Sequence, residues 1–510
     1  MLADLILHHA DVISLDDATP SAHMVAIKGN KVIHVGEDTD IESLSGGDTK
    51  VVDCEGATLV PGFNDAHCHP LAIASRFLSV DVTSARGIAE IGAAIRSEAK
   101  RKQPGRWIVA TGYHEFYMRE GRHLNRRDLD AAAPRHPVKV NHLSGHACVL
   151  NSLALELAGI TAETPEPPGA VIDRDLPSGQ PSGLLLEMNH QLDRVIPPAP
   201  GAEFERALAM ANQCYLSQGI TSLQDATADN DCNRWDNYRR LKENGLLRPR
   251  LSVMFGIDAL SQLLEMDIQT HSSPELHFGG LKILLDETTG RVFPPEEDVT
   301  AKVMRAQDAG YAVAVHALEE QALEVAARVL ESATAVARQP HRHRIEHCAL
   351  CSPELLQRLR RLRVTIVTQP PFVYYNGKRY AAQIPPHKIG WLYRCASLLG
   401  CGIRVAASSD APIVPNNPLV GMYAAVARRA ASGEQLSPEE SVPPRVALDL
   451  YTRSAAFAGG EEAIKGTIST GKLADLVLLN ANPCRVLPEN IKDIKVRMTV
   501  LDGDIVYRNF

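Results

Sequence analysis

Between about residues 61 and 464, short apolar runs alternate with longer stretches in which apolar residues recur every three or four positions. The longer stretches, which are typical of amphipathic helices, include EEQALEVAARVLESATAVAR and SPELLQRLRRL. The short runs, which are typical of buried strands, are GITSLQDAT, LKILLD, YAVAVHA, HRIEHC, VTIVTQP and IRVAASSDAP. Strands that alternate with helices over this length predict an α/β fold, a (β/α)8 TIM-like barrel.

The two ends of the chain have a different pattern, with short β-branched runs separated by turn-forming residues. The runs are DLILHHADVIS, MVAIKGNKVIHVG and KVVDCEGATLV near the start, and GTISTGKLADLVLLN and RMTVLDGDIVYRN near the end. Each set is small for an independent sheet, so we predict one composite β-sandwich domain built from residues 1–60 and 465–510. Within the barrel domain, residues 61–464, a stretch rich in Pro and Gly at about 104–200 predicts an inserted lobe.

Composition narrows the class of function. The chain has 510 residues, 45% of them apolar and 22% charged, with a net charge of −8. An acidic chain is a poor match for nucleic acid or an anionic membrane, so we expect neither as a partner. A pocket at the mouth of the predicted barrel suits a small-molecule substrate better than a protein. No apolar run has the length of a membrane span, and the first residues lack the basic start of a secretory signal. We therefore expect a cytoplasmic protein. A homodimer is the expected oligomeric state, because homodimers are common.

Ten cysteines are too few for a disulfide scaffold in a chain of this length, so we expect reduced thiols. Cys348 and Cys351, in CALC, have CxxC spacing. No second CxxC or HxxxH follows, and we interpret the pair as core thiols rather than as a zinc or redox site.

Residues of the types that bind metals are found at the ends of the predicted strands. Working residues in a barrel of this type lie at the carboxyl ends of its strands. In VPGFNDAHCHP, the spacing of two predicts that both histidines lie on one face, with Cys68 pointing away. Later strands add a lysine, two histidines and an aspartate, and the complete set is His67, His69, Lys282, His316, His347 and Asp410. Imidazole nitrogens and carboxylate oxygens in this order predict a divalent metal site.

The segments PGFNDAHCH, LKILLDE, AVHALEE, HRIEHC and SSDAP resemble the metal-binding strands of the amidohydrolase superfamily. More narrowly, they resemble its amidohydrolase-3 group, which includes N-substituted formamide deformylase. The segments LSGHACVLNSLAL, GITSLQDAT, NPLVGMYAAVARR and GTISTGKLADLVLLNANP agree with the same group, so the resemblance spans nearly the whole chain.

The resemblance implies a metal-dependent hydrolase of non-peptide carbon–nitrogen bonds. His67, His69 and Asp410 would hold the more buried ion and His316 and His347 a second one. Lys282 would be carbamylated and would bridge the two ions. Zinc is the expected metal, as one or two ions per subunit, with manganese, iron and cobalt left open. Asp410 would take a proton from the attacking water and pass it to the leaving amine.

The same resemblance gives His146, in SGHACVLN, a place beside the substrate, as an oxyanion donor or carbonyl contact. The alternative is that His146 only orders its loop, and Glu187, in SGLLLEMN, is as well explained by a structural role. Two aromatic clusters are expected to line a substrate pocket, with a surface or core position as the alternative: Tyr113 and His114, and Tyr374 and Tyr375.

One segment departs from the resembled group. The histidine of the fifth strand is usually followed there by Ala-x-Gly-Asp, whereas this chain has HALEE. Glu319 thus stands three residues after His316, which is the spacing of the deaminase branch of the superfamily. The alternative function is therefore an aminohydrolase that uses Glu319 on a cyclic amidine or aminopyrimidine-like ring. A catalytically dead binding protein is disfavoured, because every expected metal ligand is present.

Overall fold

The computed structural model describes residues 1–266, 268, 270–287, 290–335 and 341–509, without the side chain of residue 190. These residues divide into two compact units. The barrel unit comprises Met1–Pro70, Asn212–Leu285 and Pro295–Phe510. The lobe comprises Leu71–Ala211 and Asp286–Pro294.

Eight parallel strands form the sheet at the centre of the barrel unit. Near their carboxyl ends the first and last strands meet, because the Asp410 N–H donates to the His67 carbonyl at 2.8 Å and the His69 N–H to the Ala411 carbonyl at 2.9 Å. The predicted α/β barrel is confirmed. In chain order the strands are β1 (Phe63–Cys68), β2 (Ile220–Asp225), β3 (Arg250–Gly256), β4 (Leu276–Leu284), β5 (Val313–Ala317), β6 (Arg344–His347), β7 (Thr365–Thr368) and β8 (Arg404–Ala407).

Helices of the barrel unit follow from local signals, as Pro353–Leu362 illustrates. The Ser352 hydroxyl accepts the Leu355 N–H at 3.3 Å, Pro353 occupies the first turn, and the leucines of the helix are buried. Apolar residues three and four positions apart thus face the barrel. The helices of this unit are Ile41–Leu44, Cys232–Glu243, Leu260–Glu265, Glu296–Asp308, Glu320–Ala335, Pro353–Leu362, Pro371–Gln383, Cys395–Gly400, Pro418–Ala427, Pro444–Leu450 and Arg453–Ala458.

Strands from both termini form two further sheets that share one apolar core. The strand Thr58–Pro61 pairs antiparallel with Leu476–Leu479, which joins the two ends of the chain. The predicted composite β-sandwich is confirmed, while its boundaries at residues 60 and 465 stay a prediction. One sheet contains Leu5–His8, Met24–Lys28, Lys31–Gly36 and Lys50–Asp53; the other contains Asp11–Ile13, Ser21–Ala22, Thr58–Pro61, Leu476–Leu479, Val496–Leu501 and Asp504–Arg508.

The lobe has its own six-stranded sheet and its own apolar core. Two adjacent strands, Ile108–Tyr113 and Val138–His142, are parallel and place Tyr113 opposite His142 at their carboxyl ends. The remaining strands are Val80–Asp81, Ala147–Leu150, Val171–Arg174 and Pro181–Leu186, and the helices are Ile88–Arg101, Arg126–Ala132, Ser152–Leu157 and Asn189–Leu192. The helices Pro70–Arg76 and Gly201–Ser217 contain the points where the chain passes between the units.

Across the residues that the structure describes, no helix is both long and apolar enough to cross a membrane.

Cys348 and Cys351 are free, fully buried thiols. The hydrogen bond between them, together with burial, raises the pKa of Cys348 well above its ordinary value. This environment agrees with the interpretation as core thiols.

A buried ion pair generates a prediction about stability. Arg250, on β3, donates to Asp475 at 2.6 and 3.0 Å, and both side chains are only 2% exposed. Changing Asp475→Asn leaves the guanidinium without its main counter-charge, so we expect a loss of about 3–5 kcal/mol in the free energy of unfolding, measured by urea denaturation. The control is Asp493→Asn, which removes the exposed partner of Lys492. Equal losses in the two variants would contradict the prediction.

Candidate metal centre

Three predicted ligands meet at the carboxyl end of the barrel. The Oδ1 atom of Asp410 lies 3.1 Å from His69 Nε2 and 3.5 Å from His67 Nε2. His69 directly follows β1 and Asp410 lies three residues beyond β8. Two imidazoles and a carboxylate at such distances form a group that can hold a metal ion.

Local backbone irregularity directs these side chains. The pairing of β1 with β2 shifts register between Leu223 and Asp225, opposite the segment that contains His67. Such an irregularity redirects side chains at the rim of a barrel. Asp410 and His347 have φ values of 56° and 72°, in the left-handed region that non-glycine residues seldom adopt. The chain thus accepts strained backbone at two predicted ligands.

A buried carboxylate fixes the orientation of His67. Glu346 accepts from Arg344 Nε at 2.7 Å and Nη2 at 3.1 Å, so it is ionised and can only accept. The contact of 2.6 Å between His67 Nδ1 and Glu346 Oε2 is therefore a hydrogen bond donated by the imidazole. With the proton on Nδ1, the Nε2 lone pair of His67 points towards Asp410.

His69 is held in the same tautomer. The hydroxyl of Thr227 donates to Asp225 Oδ1 at 2.6 Å, so its oxygen accepts from His69 Nδ1 at 2.8 Å. With its proton on Nδ1, the His69 ring would present the Nε2 lone pair beside the Asp410 carboxylate oxygen, 3.1 Å away. A metal ion could bind both atoms in that arrangement.

The histidines of β5 and β6 lie beside this group. The His347 ring centroid is 4.7 Å from that of His67 and 4.3 Å from that of His316. His347 Nδ1 donates to Gln369 Oε1 at 2.8 Å, because the Gln369 amide nitrogen donates to Ser408. Among the described residues, His347 Nε2 is buried without a hydrogen-bond partner. A second buried nitrogen is thus available for a ligand.

Lys282, on β4, is the least satisfied cation of the site. Its side chain is 2% exposed, and its Nζ has no hydrogen-bond partner within the part of the chain that the structure describes. Burial lowers the pKa of Lys282 to about 8. A buried amine without a partner suits chemical modification or direct contact with a bound group better than it suits a free ammonium ion.

Protonation states also suit metal binding. Burial lowers the pKa of His347 to about 4, and burial together with Lys282 lowers that of His67 well below its ordinary value. Burial alone would raise the pKa of Asp410, but the adjacent imidazoles, His69 first, hold it well below its usual range. Neutral imidazoles and an ionised carboxylate are the forms that bind metals. The residues present therefore fit a divalent ion.

Other predicted residues of the barrel unit lie in different surroundings. Glu319 is exposed at the start of the helix Glu320–Ala335. Tyr374 and Tyr375 are half-buried in the helix Pro371–Gln383, with their ring centroids 5.0 Å apart. Their predicted roles in catalysis and substrate binding stay predictions.

In the lobe, His146 is part of a separate group. Its Nδ1 lies 2.7 Å from Glu187 Oε1, and Glu187 has a φ of 55°. The nearby carboxylate of Asp286 completes a second set of three metal-type ligands. The side chain of Tyr113, at the end of the strand Ile108–Tyr113, is buried, and its hydroxyl lies 3.2 Å from His123 Nδ1. The predicted substrate contacts of His146 and Tyr113 stay predictions.

The lobe also contains a third set of metal-type ligands, formed by His114, Glu115 and His142. Burial raises the pKa of a carboxyl, but the imidazoles of His114 and His142 hold that of Glu115 well below its usual range. Burial lowers the pKa of His142. The strand ends of the lobe thus bring together a carboxylate and neutral imidazole.

The sequence profile of the amidohydrolase family matches residues 50–507. The chain belongs to the amidohydrolase family. It is 30% identical to N-substituted formamide deformylase of Arthrobacter pascens, over 99% of this chain and 98% of that protein. It is also 27% identical to the putative amidohydrolase YtcJ of Bacillus subtilis, over 91% of this chain and 92% of the relative. The predicted group is thereby confirmed.

A solved structure agrees with the fold. An uncharacterized metal-dependent hydrolase from Pyrococcus horikoshii superposes with a TM-score of 0.76 at 22% sequence identity, covering 95% of this chain and 99% of that one. The predicted class of enzyme is also confirmed: this amidohydrolase is a metal-dependent hydrolase that acts on carbon–nitrogen bonds.

Sequence reasoning missed the residues that orient the ligands of this amidohydrolase. Glu346 precedes His347 directly, and strand alternation would point the two side chains to opposite faces. The left-handed backbone at His347 overrides that alternation. Thr227 and Gln369 stand two and one residues beyond β2 and β7, where a search for polar residues after every strand would have found them.

The orienting role of Glu346 is testable. Glu346→Gln retains shape but removes the ionised acceptor for His67, so we expect the affinity for zinc or cobalt to fall about 10–100-fold, measured by competition with a chelator. Glu440→Gln is the matched control, because Glu440 is also buried but contacts Arg394 and Ser397 instead. The same affinity in both variants would remove Glu346 from this role.

Proposed function

We propose that this amidohydrolase cleaves the carbon–nitrogen bond of a small amide, formamide or cyclic amide. The observation that carries the proposal is the convergence of the His67 and His69 Nε2 atoms on one carboxylate oxygen, beside the buried amine of Lys282. A full-length relative named N-substituted formamide deformylase supports this substrate class.

In this proposal two groups of side chains hold metal. His67, His69 and Asp410 hold one ion, and His316 and His347 a second. The donor set of imidazole and carboxylate favours zinc, with manganese, iron and cobalt as alternatives. Among the residues that the structure describes, the Nε2 atom of His347 has no hydrogen-bond partner, which supports the second ion.

Lys282 joins the two groups as a carbamate. Its neutral amine adds to carbon dioxide, forming a nitrogen–carbon bond and releasing one proton to solvent. The product is an anion with two oxygens, which neutralises bound cations as an ammonium ion cannot. The burial of Lys282, its lack of a hydrogen-bond partner among the described residues and its pKa of about 8 all favour the neutral amine that this reaction needs.

The side chains of the site have separate roles in the proposed reaction. When bound, a divalent ion acidifies water and polarises a substrate carbonyl. Asp410 takes the proton from the attacking water on a carboxylate oxygen and delivers it to the leaving nitrogen, so that the amine departs neutral. Glu346 and Thr227 hold the Nδ1 atoms of His67 and His69, so that the Nε2 atoms of both imidazoles stay directed towards the metal site.

Deamination is the second candidate function. It would require the Glu319 carboxylate to reach the reacting atoms, whereas Glu319 is exposed and the predicted metal ligands are buried or half-buried. The exposure of Glu319 therefore favours the amide substrate.

The products distinguish the two functions. We expect the zinc- or manganese-loaded enzyme, tested on amides, formamides, cyclic imides and aminopyrimidines, to release a carboxylate and an amine, or their ring-opened equivalent. Coupled detection of ammonia and mass spectrometry of the products provide the measurement. Ammonia from aminopyrimidines alone would establish deamination, and turnover of esters or lactones alone would refute the carbon–nitrogen assignment.

Asp410→Asn removes the proposed proton carrier. We expect the rate constant kcat on the best substrate to fall at least about 10²-fold while the fold is retained, as followed by circular dichroism. The control Asp449→Asn makes the same substitution at a residue that pairs with Arg453. Substantial turnover by metal-loaded Asp410→Asn would exclude Asp410 from proton transfer.

A further inference from the structure

One carboxylate oxygen in the lobe lies among three imidazole nitrogens. Glu115 Oε2 is 2.9 Å from His142 Nε2, 3.3 Å from His114 Nδ1 and 3.6 Å from His123 Nδ1. The arrangement belongs to the lobe alone and does not depend on the proposed function of the barrel.

The fold of the lobe produces the arrangement. Tyr113 and His142 pair at the ends of two adjacent parallel strands, directly after a shift in register, and His114 and Glu115 follow Tyr113 immediately in the chain. The segment Glu115–Tyr117 forms a short 3-10 helix that turns the Glu115 side chain back towards the strand ends. Two strands and one turn therefore fix three donor side chains.

The distances match a metal polyhedron. Zinc binds imidazole nitrogen at about 2.0–2.1 Å, so the ligand atoms of a tetrahedral site are about 3.3 Å apart. The distances of 2.9 and 3.3 Å from Glu115 Oε2 to His142 Nε2 and His114 Nδ1 lie close to that separation. Binding of a cation at His114 Nδ1 would replace the hydrogen bond that this nitrogen accepts from the Phe116 N–H, because the nitrogen has one lone pair.

Hydrogen bonding leaves a repulsive contact that a cation would relieve. His114 Nδ1 accepts the Phe116 N–H at 3.2 Å, so Nδ1 carries a lone pair. That nitrogen nevertheless lies 3.3 Å from an ionised carboxylate oxygen. A positive ion between the two electron-rich atoms turns the repulsion into two favourable contacts.

The Nε2 atom of His142 can also become free to bind a metal ion. His142 Nδ1 accepts the Ser144 N–H at 3.1 Å and lies 2.7 Å from the Ser144 hydroxyl. When Nε2 binds an ion, it loses its proton and Nδ1 gains one, so Nδ1 donates to the Ser144 hydroxyl oxygen and no longer accepts the Ser144 N–H. The imidazole stays neutral overall, and Ser144 keeps the ring in place.

We propose that His114 Nδ1, Glu115 Oε2 and His142 Nε2 bind a divalent cation of the zinc class in the lobe. The ion ties the turn after one strand to the end of the next. The Glu115 side chain is 28% exposed and that of His123 is 36% exposed, so the ion can exchange with solvent. In this proposal His114 is a metal ligand instead of the substrate contact expected from the sequence.

Metal counting tests the proposal. Full-length protein is loaded with zinc, passed through a desalting column and analysed for zinc per chain by mass spectrometry. We expect Glu115→Gln/His142→Gln to hold one ion fewer than the unmodified chain. His23→Gln is the control, because His23 also contacts a carboxylate, Glu37 at 2.6 Å, but on an exposed surface; it should keep the full count. His67→Ala should lose barrel metal independently.

Two results would overturn the lobe site. The first is an unchanged count in folded Glu115→Gln/His142→Gln. The second concerns Glu115→Gln alone, which preserves shape and decides the matter if the double variant fails to fold. We expect this variant to bind its weakest cobalt ion at least about tenfold less tightly, followed by the cobalt absorption bands. Identical cobalt titrations for Glu115→Gln and the unmodified chain would refute the site.

Discussion

The hydrogen bond from His67 to Glu346 is the constraint on which the metal centre depends. An imidazole buried in a barrel cannot turn freely or exchange its proton with water, so its tautomer must be set by a fixed acceptor. Glu346 is such an acceptor because Arg344 keeps it ionised in the interior. Thr227 and Gln369 do the same for His69 and His347. Metal ligation is thus prepared by residues that would never touch the ion.

Much of the fold was predictable because its signals are local and repeated. Strand–helix alternation indicated the barrel, and turn-rich β segments at both termini indicated the shared sandwich. The predicted ligands were recognisable because metal-binding side chains stood at the ends of successive strands, where barrel sites occur. His67, His69 and Asp410 meet because β1 and β8 are neighbours in a closed barrel, which the order of strands already implies.

The rest depended on geometry that the sequence does not display. Strand alternation separates Glu346 from His347, and only a left-handed backbone brings both to the site. Glu115 and His142 are 27 residues apart, and the pairing of two parallel strands, rather than any motif, places them in contact. Glu319 was conspicuous in the sequence by its spacing from His316, but spacing could not reveal that it is exposed.

The position of metal in the barrel tests the account most directly. Crystals of the zinc-loaded protein, measured on both sides of the zinc absorption edge, locate each ion by its anomalous scattering. We expect an ion about 2.0–2.1 Å from the Nε2 atoms of His67 and His69, with Nδ1 of His67 still bonded to Glu346. If the chain is folded as described and no zinc lies at these nitrogens, the proposed metal centre is wrong.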